Sequence, residues 1–276
     1  MIGIFRDLSD LLFPRHCAAC GKKLTQQEHS LCCDCLENMP LTYYWLDKFN
    51  PMADKLNAGI EEKLKYSMDT EQYAYALSLY YYKGDYKKLS QALKYHARVK
   101  LGAHLGKLLA ERISQTPWLS DVDLIIPVPL HPLRYWKRGY NQAEIIARSA
   151  YSCLTGNGPG FRKTQNGFHT TSVRTDLLFR TRNTKSQVKL PVAGKSSNVS
   201  GAFTVDEKRL SCALNEFACH HRKEIRHVLL IDDVFTTGST LVECHRAFRT
   251  ALTSISGRED GGKVRISVAT LAVVGD

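Results

Sequence analysis

No apolar run in this 276-residue chain reaches the ~18 residues that a membrane-spanning helix requires. No internal repeat is present, and the opening residues lack the block pattern of a secretory signal. Nor do the cysteines outside the first 35 residues form a pattern. Cys153, Cys212, Cys219 and Cys244 are scattered singly, which argues against a disulfide framework and suits buried small apolar residues or unpaired surface thiols. These absences exclude transmembrane and disulfide-stapled classes and make a cytoplasmic protein the expectation. Acids are scarce in one region. Residues 130–200 hold twelve Lys or Arg against only Glu144 and Asp176, so this span carries +10 of the formal +11. A basic region of that density suits a polyanionic partner, either a pyrophosphate-bearing small molecule or nucleic acid. The first residues, MIGIFRDLSDLLF, put Ile4, Phe5, Leu8, Leu11 and Leu12 on one helical face. That face fits a short helix beside the next module, with peripheral membrane contact as the alternative.

What the chain does have is concentrated near its two ends. Cys17-x2-Cys20 and Cys32-x2-Cys35 are two C-x2-C pairs separated by eleven residues. Each pair makes a knuckle of two thiolates, and two knuckles complete a closed tetrahedral zinc site. Four thiolates leave no position for water, so the metal is structural. Cys33 is a fifth thiol, but only Cys32 keeps the x2 spacing to Cys35.

Residues 228–241 read VLLIDDVFTTGSTL. A short apolar run with branched ends suits a strand buried on both faces of a parallel sheet. Asp232 and Asp233 close it, where open α/β sheets bind ligands. Thr236, Thr237, Gly238, Ser239 and Thr240 then turn the chain into a helix expected from Leu241. Hydroxyls, backbone amides and the helix start can surround a phosphate there, and Gly238 permits the turn. The plainer reading is a strand, turn and helix whose acids only cap the helix.

The remaining elements follow an α/β alternation. Residues 1–45 read as the zinc module, 46–75 as a polar linker or a loop laid on the next domain, and 76–276 as one α/β domain. Strands are expected at 76–82, 124–128, 176–179, 202–205 and 263–274. Helices are expected at 87–96, 101–113, from about 140, and within 206–226. Between Leu124-Ile-Ile-Pro-Val128 and the helix near 140, PLHPLRYWKRG reads as a Pro-rich turn and basic loop. Residues 155–173 read as an insertion.

The strand, the two acids and TTGST resemble the phosphoribosyl pyrophosphate (PRPP) motif of type I phosphoribosyltransferases. Together with the four cysteines, Leu93-Lys94-Tyr95, PVPLHPLRYWKRGYNQAE (127–144), RTRNTKSQ (180–187) and NVSGAF (198–203), the chain resembles the ComF family of ComFC- and GntX-like proteins. That resemblance implies a phosphoribosyltransferase-like parallel sheet flanked by helices, with an N-terminal zinc finger, associated with DNA uptake or use of DNA as a nutrient. It implies Asp232 and Asp233 on the ribose hydroxyls and residues 236–240 on the 5′-phosphate. His131 and Arg138, with Arg134 and Lys137, fall on the pyrophosphate loop, and Mg²⁺ would accompany PRPP. Arg182 and Lys185 fall on a loop that stabilises the leaving group, and 76–85 is the candidate for the hood over an acceptor base. The chain departs from the pattern in its long segments 155–175 and 206–226, and in Lys195 where an arginine is expected. Three readings follow. One is a transferase, such as a nucleobase salvage enzyme. The second is a PRPP-fold factor binding single-stranded DNA, with Trp136, Tyr135 and Tyr140 available for stacking. The third is an adaptor for DNA-import or recombination proteins.

Overall fold

A computed structural model describes residues 15–64, 72–95, 98–156, 172–182, 200–257 and 264–275. In chain order the helices are α1 Cys33–Glu37, α2 Pro51–Leu64, α3 Lys87–Tyr95, α4 Val99–Ser114, α5 Pro132–Arg138, α6 Gln142–Leu154, α7 Glu207–His221 and α8 Ser239–Ser256. The strands are β1 Ala76–Tyr81, β2 Leu124–Pro127, β3 Ser172–Val173, β4 Leu178–Arg180, β5 Phe203–Val205, β6 His227–Phe235 and β7 Arg265–Val273.

Five strands form one parallel sheet in the order β1-β7-β6-β2-β3. The apolar run of β6 is continuous because the strand is central and covered on both sides. Val228 and Leu230 enter one core with Met52, Leu56 and Ile60 of α2, Phe217 of α7 and Phe248 of α8. Leu229 and Ile231 enter the other, with Leu89 and Leu93 of α3, Leu105 and Leu109 of α4, and Ile146 of α6. Helices α4 and α6 meet at Gly106, where a Cβ would lie 2.8 Å from the Ile146 carbonyl oxygen. Only glycine lets the two backbones come that close.

The structure departs from the sequence reading in four places. First, the stretch 46–75 contains α2, whose Met52, Leu56 and Ile60 recur every four residues and are buried. Asn50 caps that helix by accepting from the Ala53 amide at 3.1 Å, and Asn57 exchanges two 2.9 Å bonds with the Ala74 backbone. Second, within 76–85, the candidate for the hood, residues 76–81 are a buried edge strand, β1, paired with β7. Third, β4 and β5 form a separate antiparallel ribbon, while Ser172 and Val173, inside the expected insertion, extend the main sheet beside β2. Fourth, the expected basic loop is the short helix α5, started by His131 and stopped by Gly139 at φ 79°.

At the N-terminal ends of β6 and β7, His227 lies 2.7 Å from both Asp121 Oδ1 and Ser267 Oγ. The spatial order Asp-His-Ser is that of a hydrolytic triad. Ser267 is fully buried in the sheet, so the group fastens strands together and offers no nucleophile.

Candidate functional site

At the N-terminal end of the chain, the sulfurs of Cys17, Cys20, Cys32 and Cys35 all lie within 4.8 Å of one another, with Cys20 and Cys32 at 3.8 Å. A tetrahedron with ~2.3 Å zinc–sulfur bonds needs sulfur spacings of about that size, so the four thiolates fit structural zinc. Burial raises the Cys17 thiol, but amides of Cys20, Cys32 and Ala19 donate to it and bring it down to about 7. Cys33 is exposed and outside this set, its amide donating to Glu28 Oε1 at 2.8 Å. Glu28 also accepts from the Thr25 amide at 2.7 Å, which orders the turn between the knuckles. The module is fused to the domain. Leu24, Leu31 and Met39 share the core of β1, and the Tyr81 amide donates to the Pro40 carbonyl at 2.8 Å.

At the C-terminal half of β6 the two acids point to different surroundings. Asp233 is nearly buried and its Oδ2 pairs with Lys94 Nζ at 2.7 Å. Asp232 accepts the Asp233 amide at 2.8 Å through Oδ1. Its carboxyl is pushed up to about 8, first by burial and then by the Asp233 charge, against the pull of Lys94. Adjacent carboxylates in a confined site cannot both ionise freely.

The turn behind them is built as the sequence requires, with α8 starting at Ser239, two residues earlier than expected. Gly238 has φ 78° and caps α8, and Thr237 Oγ1 lies 2.8 Å from Ser239 Oγ. A Cβ at Gly238 would sit 2.7 Å from the Phe235 ring. The left-handed backbone and this contact together forbid a side chain. Gly238→Ala is therefore expected to lower stability by about 1–3 kcal/mol, which thermal melts check.

The chain leaving β2 supplies cations. His131 Nδ1 accepts from the Leu133 amide at 3.3 Å, so this ring caps α5. Asn141 donates to the Val128 carbonyl at 3.0 Å and accepts from the Ala143 amide at 3.1 Å, tying the loop ends together. Arg138 Nη1 donates to Gln142 Oε1 at 3.0 Å. Arg180 of β4 has its guanidinium 5.1 Å over the Phe203 ring. Burial lowers its pKa, Arg134 and Arg138 lower it further, and Asp232 opposes them. The charges of Arg134, Arg138 and Asp232 thus all act on Arg180. Arg182 donates to the Ser200 carbonyl at 3.0 Å. Lys185 and Lys195 lie outside the described residues.

The structure therefore brings Asp232, Asp233 and the turn 236–240 to one end of the sheet, with Arg138 at the end of α5, the helix that follows the neighbouring strand β2. The site list drawn from the sequence omits Lys94 and Arg180. Both stand in stretches on which the family resemblance rests, but nothing in their own spacing points to β6.

Comparison with known proteins agrees with part of this. Residues 8–44 match the double zinc ribbon domain family. The chain is 30% identical over 164 residues to competence protein F of Haemophilus influenzae, covering 58% of this chain and 60% of that protein. It is 28% identical over 158 residues to DNA utilization protein YhgH of Escherichia coli K12, covering 56% and 57%. The corresponding YhgH of Salmonella typhimurium is 26% identical over 158 residues. The matches thus span less than two thirds of these relatives' length. No solved structure matches the chain. No helix among the described residues is long and apolar enough to cross a membrane.

Proposed function

We propose that this chain binds PRPP at the end of β6 and acts in the uptake or use of DNA. The observation that carries the reading is the Asp232 and Asp233 pair followed directly by the glycine-capped turn into α8, with the charges of Arg134, Arg138 and Asp232 all acting on Arg180. Acids that accept from sugar hydroxyls, a helix start for one phosphate and a cation group for a pyrophosphate match the three parts of that ligand. The names of the relatives supply the biological setting. Mg²⁺ would arrive on the pyrophosphate oxygens, since this ion prefers substrate oxygens and water. In a transferase the acceptor's lone pair would form the bond to ribose C1 as the C1–O bond breaks, with the electrons leaving on pyrophosphate. The residues named here bind, orient and neutralise, which is most of what such chemistry asks of a protein. Calorimetric titration with PRPP and Mg²⁺ tests the reading, beside Asp232→Asn with Asp233→Asn. Heat lost in the double variant supports it, and no heat from the unaltered protein sinks it.

A second reading, single-stranded nucleic acid, has its own observation. Trp136 is 87% exposed, and with Leu130, Pro132, Tyr135 and Gly139 it lines a hollow of about 500 Å³ on α5, the helix that also carries Arg134, Lys137 and Arg138. An exposed indole amid cations is a stacking platform. Trp136→Ala is expected to weaken oligonucleotide binding by about 1–3 kcal/mol and leave the melting temperature unchanged, since the ring is almost wholly outside the core. Fluorescence anisotropy with a labelled oligothymidylate reads this out.

A further inference from the structure

We propose that Lys94 is a sugar-site residue and that Tyr140 and Gln142 position it. The proposal rests on the PRPP reading and deepens it, because it names the cation that lets the acid pair accept hydrogen bonds. Lys94 stands in the last turn of α3, with only 24% of its side chain exposed and its ammonium 2.7 Å from Asp233 Oδ2. A sugar diol donates its hydroxyl hydrogens, so it needs a carboxylate that stays ionised. Two neighbouring carboxylates oppose that state in each other, and a cation on one of them restores it. Lys94 sets its ammonium on Asp233, and its charge also pulls the Asp232 carboxyl down.

Its placement follows from helix chemistry. The last carbonyls of a helix have no partner within it. In α3 the Leu93 carbonyl accepts from the Tyr140 hydroxyl and from Gln142 Nε2 at 3.0 Å. Gln142 then accepts Arg138 through its other atom, Oε1. The start of α6 therefore pins the backbone one residue before Lys94, and the same amide holds a cation of the pyrophosphate loop. One glutamine ties the two halves of the site together. The sequence string RGYNQ thus has a physical role beyond supplying donors.

The test combines ¹³C titration of labelled aspartates with PRPP affinity, measured from about pH 6 to about pH 9, where a raised carboxyl titrates. Lys94→Met is expected to raise the titration midpoint of the pair and to weaken PRPP about tenfold at neutral pH, a charge-assisted bond being lost. That deficit narrows as pH rises and the carboxylates ionise without help. Lys94→Arg restores most of the affinity. Gln142→Leu and Tyr140→Phe each weaken binding about threefold, with the same pH trend, as one neutral hydrogen bond is lost. A purely structural role would lower stability without moving the titration. If the unaltered protein binds PRPP and Lys94→Met matches it in affinity and midpoint, the inference falls while the proposed function stands. If the unaltered protein binds no PRPP, both fall. Should Lys94→Met not fold, Gln142→Leu decides, since it leaves both ion-pair groups intact, and an unshifted midpoint there overturns the positioning role.

Discussion

Asp232→Asn is expected to make the ligand-free protein more stable at pH 8 while removing most of the PRPP affinity proposed for the site. The sign follows from the raised carboxyl of Asp232, at about 8 in the fold, where burial and the Asp233 charge both hold the proton on. An unfolded chain releases that proton near pH ~4. Between those values the folded state carries the extra proton, so stability falls as pH rises through the window. An asparagine carries no charge at any pH and escapes this loss. The expected gain at pH 8 is a few kcal/mol, a rise of several degrees in melting temperature, vanishing as pH falls toward 4. Affinity moves the other way, by about 10- to 100-fold, because a carboxyl able to ionise and accept from the diol is gone.

The neighbouring acid gives the opposite stability change. Asp233→Asn strips Lys94 of the carboxylate 2.7 Å away and leaves a mostly buried ammonium without its counter-ion. That variant is expected to melt lower by several degrees, because an uncompensated buried charge is strongly destabilising. Opposite shifts from adjacent, chemically identical substitutions are hard to produce by general damage to the loop. Scanning calorimetry of both variants at pH 5 and at pH 8 decides, and a lower melting point for Asp232→Asn at pH 8 would contradict the account of the pair.

Why the acids were legible in the sequence and Lys94 was not is a matter of range. A central parallel strand is covered on both faces, so β6 writes itself as an uninterrupted apolar run, and the turn after it is fixed by residues adjacent in sequence. The cysteine pairs are equally local. Lys94 meets Asp233 only after the chain has crossed the sheet several times, and no spacing records that contact. Arg180 reaches Asp232 from a ribbon outside the main sheet for the same reason. The helix α2 was missed differently. Its four-residue repeat of Met52, Leu56 and Ile60 was present, but Asp54, Lys55, Glu61 and Glu62 on the remaining face gave the stretch the look of a linker. Two-residue β3 is too short to have a period at all.

Removing zinc should be felt at the opposite end of the chain from the cysteines. Sulfur-only sites of this kind contribute about 10–16 kcal/mol of metal binding to the folding of the segment that holds them. Residues 15–44 have little apolar area of their own, and Leu24, Leu31 and Met39 share a core with β1 and with Leu89 and Leu93 of α3. Tyr86, at the start of that helix, donates its hydroxyl to the Cys35 carbonyl at 2.9 Å. Loss of the metal therefore loosens the helix that carries Lys94. It also uncovers the edge of β1, where Tyr81 now bonds to the Pro40 carbonyl and the Thr42 amide to the Leu79 carbonyl at 3.3 Å. A bare edge strand is a template for self-association. Chelation under reducing conditions is expected to release one zinc per chain, lower the melting temperature by roughly 5–10 °C and promote soluble oligomers. PRPP affinity should fall several-fold in the same titration, and Cys17→Ser should reproduce all of these effects. If stoichiometric zinc leaves with melting and PRPP binding unchanged, the module is an independent appendage. In that case the contacts of Tyr86 and Leu31 with the sheet do not couple the two sites.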